Sequence, residues 1–252
     1  MLKGLFDAAA GMKARLAVQD IIASNLANAG TAGFQRQLVA IRARAVLPQP
    51  GPADIQALRE PDEPSDLPVP TPKEVLEPYS TPDGRPGVLQ QTGTSSDIAL
   101  DGVGYLVVQT SGGARLIRGG SLQINRQGYL ATLSGDPLES TSGRPIAVTE
   151  KEWQVAPDGT VSVDGRTLGR LRLVRPRGTV RAEGALLAST AAVQDVAAGS
   201  VRVRQGFLEH SNVDPVKEMV DMIAGVRAYE ASQRAVLAQD QSLQNLLEVL
   251  RR

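Results

Sequence analysis

Proline placement constrains this chain before any other feature. The first proline is Pro48 and the last is Pro215, so both ends are free of helix breakers. Nine of the sixteen prolines crowd between Pro48 and Pro78, in runs such as Glu60-Pro61-Asp62-Glu63-Pro64-Ser65-Asp66-Leu67-Pro68. At this density a residue that fixes φ and lacks an amide donor sustains neither a helix nor a central strand. Residues 47–80 therefore read as an extended connector or an edge-covering loop.

The breaker-free ends carry helical stripes. Leu2, Leu5, Ala9, Met12, Leu16, Gln19, Ala23 and Leu26 recur at alternating spacings of three and four, and only Gln19 among them is polar. This helix is predicted to stop near Asn28-Ala29-Gly30, with Gly30 in a left-handed cap. A turn over Thr31-Ala32-Gly33-Phe34 and a strand through Gln35–Val46 would follow. The C-terminal stripe is longer: Met219, Met222, Val226, Tyr229, Gln233, Val236, Asp240, Leu243, Leu247 and Leu250. Ser211 or Asn212 is the expected N-cap, and Asp214, Pro215 and Glu218 suit a first turn. A helix from Val213 to the end would be about 60 Å long, too long to hide inside a compact domain of this size.

The middle has a different period. From Gly87 to Gln205, short β-prone runs are broken by Asp101-Gly102, Gly112-Gly113, Asn125 to Gly128, Asp158-Gly159 and Asp164-Gly165. Such spacing predicts hairpins in an all-β domain, most clearly across Trp153 to Val163. The expected fold class is therefore α+β and discontinuous. Long N- and C-terminal helices (residues 1–46 with 208–252) form a coiled-coil-like assembly layer, residues 47–80 a connector, and residues 81–207 a central all-β domain. Long helices with half-polar seams are marginal alone, so the ends are expected to order when packed among copies. A plain antiparallel hairpin between the two ends fits the pattern as well.

Chemistry is scarce. Cysteine is absent, which excludes disulfides, thiolate metal sites and a cysteine nucleophile. The single histidine, His210, excludes a histidine metal cluster and leaves a catalytic triad only one possible base. It lies beside Ser211 at the expected helix start, a capping neighbourhood. No phosphate-cradling loop or dinucleotide glycine pattern is present; Gly102-Val103-Gly104 reads as a turn fragment. Carboxylates are plentiful, but nothing singles out a pair for glycoside chemistry. No catalytic, cofactor-binding or metal-binding residue is indicated, and none of these groups is expected.

Basic and acidic residues balance at 27 each, and aromatics make up 3%, so neither electrostatics nor base stacking favours nucleic acid. No run approaches the roughly 18 apolar residues of a membrane span. Asp7 interrupts Leu2, Leu5 and Phe6, and Lys13 and Arg15 follow, so the N-terminus does not read as a secretory signal.

Three ordered motifs carry a resemblance. Ile22 to Phe34, with Asn25, Leu26, Ala27, Asn28, Thr31, Gly33 and Phe34, resembles the N-terminal signature of the flagellar basal-body rod and hook proteins. Gly87 to Gly93, Asp97 to Tyr105, Arg118, Gly119-Gly120 and Gln127 to Leu130 are similar to that family's β domain. Gln205 to Val220 resembles the lead into its last helix, and Ile223, Arg227, Ala228, Tyr229 and Glu230 continue it. Ser24 and Gly30 depart from the family pattern, where Asn is common, and the proline-rich stretch has no counterpart.

The resemblance implies a structural subunit of the flagellar rod, the shaft between motor and hook, with proximal rod favoured over distal rod. Implied partners are copies of itself, other rod or hook subunits and the flagellar type III export apparatus, in a periplasmic or cell-envelope location. Leu5, Met12, Leu16, Asn25, Leu26, Asn28, Thr31, Gly33, Phe34, Glu209, Ser211, Asn212, Val213, Glu218, Met219, Met222, Ile223, Arg227, Tyr229, Val236, Leu243 and Leu247 are the expected assembly residues. Gln19, Gln233 and Asp240 would set register within the stripes. A hook-type axial subunit, or a β-rich cell-surface binding module oligomerised by its terminal helices, are the alternative readings.

Overall fold

The computed structural model describes residues 2–46, 73–149, 152–177, 180–183, 186–189, 192–197 and 199–250. Most of the predicted connector therefore lies outside the described residues. Two helices bracket the chain, α1 (Leu2–Ala27) and α2 (Pro215–Leu250). Between them, among the described residues, run seventeen strands: β1 (Gln37–Val46), β2 (Lys73–Pro82), β3 (Leu89–Gln91), β4 (Asp97–Asp101), β5 (Tyr105–Thr110), β6 (Gly113–Ile117), β7 (Gly119–Ile124), β8 (Leu130–Thr132), β9 (Gln154–Val155), β10 (Thr160–Val163), β11 (Arg166–Arg170), β12 (Leu173–Pro176), β13 (Val180–Glu183), β14 (Leu186–Ser189), β15 (Val193–Asp195), β16 (Arg202–Gln205) and β17 (Phe207–Glu209).

This corrects the expected fold class. The central β domain is present, but the described chain is strand-rich, with two helices and several sheets, and the long terminal helices form no coiled-coil-like layer. Seam residues Leu16, Met219 and Val226 stay exposed. The α1 stripe is diluted by alanine and broken by Gln19, so it offers little apolar area to a partner helix.

Both helix ends differ from expectation in detail. Asn28 closes α1: its amide N–H and its side-chain Nδ2 both donate to Ser24 O, at 3.1 and 2.8 Å. Gly30 is not in the left-handed region; Gly33 is, at φ +71°. The N-cap of α2 is Asp214, not Ser211 or Asn212. Its Oδ1 accepts from Val216 N at 3.0 Å and Lys217 N at 3.2 Å, with Pro215 at the first helical position. Ser211 Oγ accepts from Val213 N instead. At the end of the predicted connector, Lys73–Pro82 is a strand, paired among the described residues with β1 alone. Pro78 and Pro82 are tolerated because a two-stranded ribbon consists of edges.

The remaining sheets are a six-stranded one in the order β13-β14-β6-β5-β12-β15, a four-stranded one in the order β16-β4-β7-β8, a three-stranded one β11-β10-β9 and a pair β17-β3. Four predicted turns form hairpins: β5–β6 at Gly112-Gly113, β7–β8 across Asn125 to Gly128, β9–β10 at Asp158-Gly159 and β10–β11 at Asp164-Gly165. In the last, Asp164 and Gly165 have φ +47° and +78°, the type I′ signature. Asp101-Gly102 does not form a hairpin. There the chain passes from β4 to β5, in a different sheet, and a Cβ on Gly102 would lie 2.9 Å from Ser200 O.

All four residues Tyr105 to Val108 are buried because β5 is covered on both faces. Leu106 and Val108 enter the main apolar cluster with Ile98, Leu130, Leu138, Val161 and Trp153, whereas Tyr105 and Val107 join a smaller one with Leu116, Val174 and Leu187. Two compact units result. One takes in α1 up to Val18, β1 from Ala40, β2 up to Tyr79 and α2 from Gly225; the other is Gln19–Val39 with Ser80–Ala224.

Candidate functional site

Within the second unit, the signature residues converge on the strap that leads from α1 into β1. Asn25 is buried in the last turns of α1. Its Oδ1 accepts from Gln37 N at 2.8 Å and its Nδ2 donates to Gln37 O at 3.1 Å, so one side-chain amide takes the place of a neighbouring strand. The same Nδ2 lies 3.2 Å from Glu218 Oε2. Glu218 is buried on the first turns of α2, and its other oxygen accepts from Arg36 Nε at 2.5 Å. Asp221 Oδ2 lies 3.9 Å from Arg36 Nη2.

Asn212 holds the strap from the other side. Its Oδ1 accepts from Arg36 N at 2.6 Å, and its Nδ2 donates to Asp83 O at 3.2 Å and Arg85 O at 2.8 Å. Asp83 N in turn donates to Arg36 O at 2.7 Å. The Arg85 guanidinium bonded to Asp83 holds that carboxyl below its ordinary range, and Asp83 raises Arg85 in return.

A second ion pair is sealed deeper. Arg118 Nη2 lies 2.7 Å from Glu209 Oε2, and both side chains are 3% exposed. Arg118 spends its other donors on Leu100 O, Gly102 O and Gly104 O, and Gly87 N donates to Glu209 Oε1 at 2.9 Å. A buried pair holds only when its remaining polar atoms are also satisfied, and here they are. Gly33 N donates to Glu209 O at 2.7 Å, and its left-handed backbone brings it against the Arg118 side chain. Tyr105 stands under the Arg118 guanidinium, 5.8 Å to the ring centroid, and donates its hydroxyl to Gln35 Oε1 at 2.9 Å. Burial pushes the Tyr105 hydroxyl above its ordinary range.

The structure thus brings Asn25, Gly33, Glu209, Asn212 and Glu218 into one polar junction. Phe34 and Val213 are buried, and Thr31 and Asn28 close the turn before it. Asn25 spends its amide inside the chain and is closed to solvent. Met12, Leu26, Met222, Tyr229 and Val236 are half-buried, and Leu16, Met219, Ile223 and Arg227 are exposed. Leu5, Leu243 and Leu247 lie in the helices, with side chains outside the described residues.

Sequence reasoning did not assign Gln35, Arg36, Gln37, Asp83, Arg85, Tyr105 or Arg118 to the site. The available signal was Gln35-Arg36-Gln37, three long polar side chains where a strand is entered. Among the described residues no group of His, Cys, Asp or Glu could hold a metal ion, and no helix is long and apolar enough to cross a membrane. His210 pairs with Gln90 on the surface. A groove of about 600 Å³ is lined by Gln91, Glu152, Trp153, Asp164 and Gln205, among others, and its two carboxylates are exposed.

The likenesses to known proteins fall on the same segments. The family described as "Flagella basal body rod protein" matches residues 8–35, "Flagellar hook protein FlgE/F/G D1 domain" matches 99–163, and "Flagellar basal body rod FlgEFG protein C-terminal" matches 204–249. The chain is 36% identical to the flagellar basal-body rod protein FlgF of Salmonella typhimurium over 244 residues, covering 89% of this chain and 88% of that one. It is 36% identical to FlgF of Escherichia coli over 88% of each chain. Flagellar basal-body rod protein FlgG of Buchnera aphidicola subsp. Acyrthosiphon pisum is 30% identical over 99% of this chain and all of that one. The chain belongs to the flagellar basal-body rod protein family and is a structural subunit of the rod in the flagellar basal body.

Proposed function

We propose that this rod subunit is of the FlgF type and serves in the proximal rod, joining copies of itself and neighbouring rod or hook subunits through the exposed face at the start of α2. One observation carries the joining surface. Val216, Met219, Val220, Ile223 and Val226 are all exposed, and at about 100° per residue they fall within about 120° of the helix surface, so they share one face. Single exposed apolar residues are ordinary on a protein surface, whereas a row of five on one face marks a contact surface. The FlgF assignment is supported by 36% identity to FlgF of Salmonella typhimurium and Escherichia coli, against 30% and 25% to FlgG of Buchnera aphidicola and Bacillus subtilis.

In this reading the subunit transmits torque and performs no reaction. It reaches the cell envelope through the flagellar type III apparatus, takes no cofactor, binds no nucleic acid and does not insert into a membrane. The buried junction suits that load: its charges and amides fix the end of α1 and the start of α2 on the β sheets of the same unit.

The test is complementation. The chain should restore rods and motility to a strain lacking FlgF and not to one lacking FlgG; the reverse pattern would overturn the FlgF assignment. The double variant Val220→Ser/Ile223→Ser should fold with unchanged circular dichroism yet fail to restore motility. Normal rods from that variant would remove the α2 face from the assembly.

A further inference from the structure

We propose that the strap from Gly33 to Gln37 is a latch that opens as a single unit, releasing the end of α1 and the start of α2 from the β sheets while both apolar clusters stay closed. The inference rests on the anchors alone and is independent of the rod assignment.

The strap is anchored to several separate segments of the chain. Gly33 N is fixed to Glu209 O, the Gln35 side chain to the Tyr105 hydroxyl, and Arg36 N to Asn212 Oδ1. Arg36 O is fixed to Asp83 N, and Gln37 N and O to the Asn25 amide. Successive residues are thus pinned to different segments of the chain. Each pin is itself locked elsewhere: Glu209 by Arg118, Asn212 by the carbonyls of Asp83 and Arg85, and Asn25 by Glu218. Losing one pin leaves a buried donor or acceptor unpaired, and the only relief is water. Water reaches that atom when the strap lifts, and lifting breaks the other pins. Interlocked polar contacts of this kind fail together.

A second observation says why this segment opens first. Gln35 is buried, and among the described residues its Nε2 has no hydrogen-bond partner. The closed strap therefore carries a desolvated donor, a cost that opening removes. The main cluster has one such atom at its edge, Thr132 Oγ1 on β8, but its backbone is held by regular strand bonds, with Leu130 N and Leu138 N donating to Ile146 O and Leu130 O at 2.9 Å each.

Native-state hydrogen exchange on the full chain, read amide by amide by NMR, tests the latch. Asn25→Asp removes the Nδ2 donor and sets a carboxylate beside Glu218. Exchange should rise at least tenfold at Gly33, Arg36 and Asp83 as well as at Gln37, with Leu130 and Leu138 unchanged. Acceleration at Gln37 alone would reduce the latch to a local contact. Equal acceleration at Leu130 and Leu138, or no acceleration anywhere, would equally overturn it. Should Asn25→Asp not fold, the double variant Gln35→Met/Tyr105→Phe supplies the opposite test. It removes the unpaired donor together with the hydroxyl that Gln35 satisfies, so exchange at the same four amides should slow. Unchanged or faster exchange there would overturn the proposal.

Discussion

Glu218 and Ile223 lie five residues apart on α2 and invert the usual rule between them. Glu218 is 0% exposed, and Ile223 is 56% exposed. At about 100° per residue they point to nearly opposite sides of the helix. On the first side, charge is taken out of water, and this chain supplies every partner it needs: Arg36 for one oxygen, Asn25 for the other. On the second side apolar surface is left in water, in a row with Val216, Met219, Val220 and Val226. The two costs have different remedies. A buried carboxylate must be satisfied before the chain can fold at all, whereas an exposed apolar row can wait for a second molecule. One short stretch of helix thus has a face that is finished within the subunit and a face left open to solvent.

The sharpest way to break this contrast is to attack the finished side. Arg118→Met should be the most damaging single change, because it strands the Glu209 carboxylate at 3% exposure and orphans three carbonyls. A loss of about 3–5 kcal/mol in urea unfolding is expected for one partner removed from a sealed pair. A loss under about 1 kcal/mol would mean that the junction admits water, and its charges would then be no more finished than the apolar face.

Next comes the open side. Ile223→Ser should leave the stability of the isolated chain within about 0.5 kcal/mol, the range for surface substitutions. Leu130→Ala, in the main cluster, should cost about 2–5 kcal/mol under the same conditions. If Ile223→Ser costs as much as Leu130→Ala, the row on α2 is closed by this chain after all, and the contrast collapses.

The same contrast explains what could be read in the sequence. Hairpins announced themselves, because Asp164-Gly165 needs two positive φ angles and the alternation of Val161 and Val163 with Ser162 names the buried face. Both helices were legible from periodicity. The layer inferred from them was not real, since an apolar stripe reports that a face avoids water and not what covers it. In the junction, Asn25, Asn212 and Glu218 stood out through their motif, yet their partners did not. Arg36 meets Glu218 from 182 positions away, and Arg118 meets Glu209 from 91. Ion pairs across such separations leave no period in the chain, and only the assembled sheets bring them within reach.

A final and smaller test concerns the rim of the junction, where finished and open meet. Asp83 is buried, but its partner Arg85 has a side chain 78% exposed, so this pair is half in solvent and screened by salt. The Arg85 hydrogen bonds hold the folded Asp83 carboxyl below its ordinary value of 3.8. A depressed folded value means that the pair's contribution is present above pH 3.8 and is lost as pH falls through the lower folded value. Asp83→Asn should therefore leave the acid limb of the stability curve shallower below about pH 4, with little change at neutral pH beyond the lost side-chain bonds. The difference between the two acid limbs should shrink in high salt. An acid limb unchanged by the substitution would mean that the Asp83–Arg85 pair adds nothing to the strap beyond the backbone bond from Asp83 to Arg36.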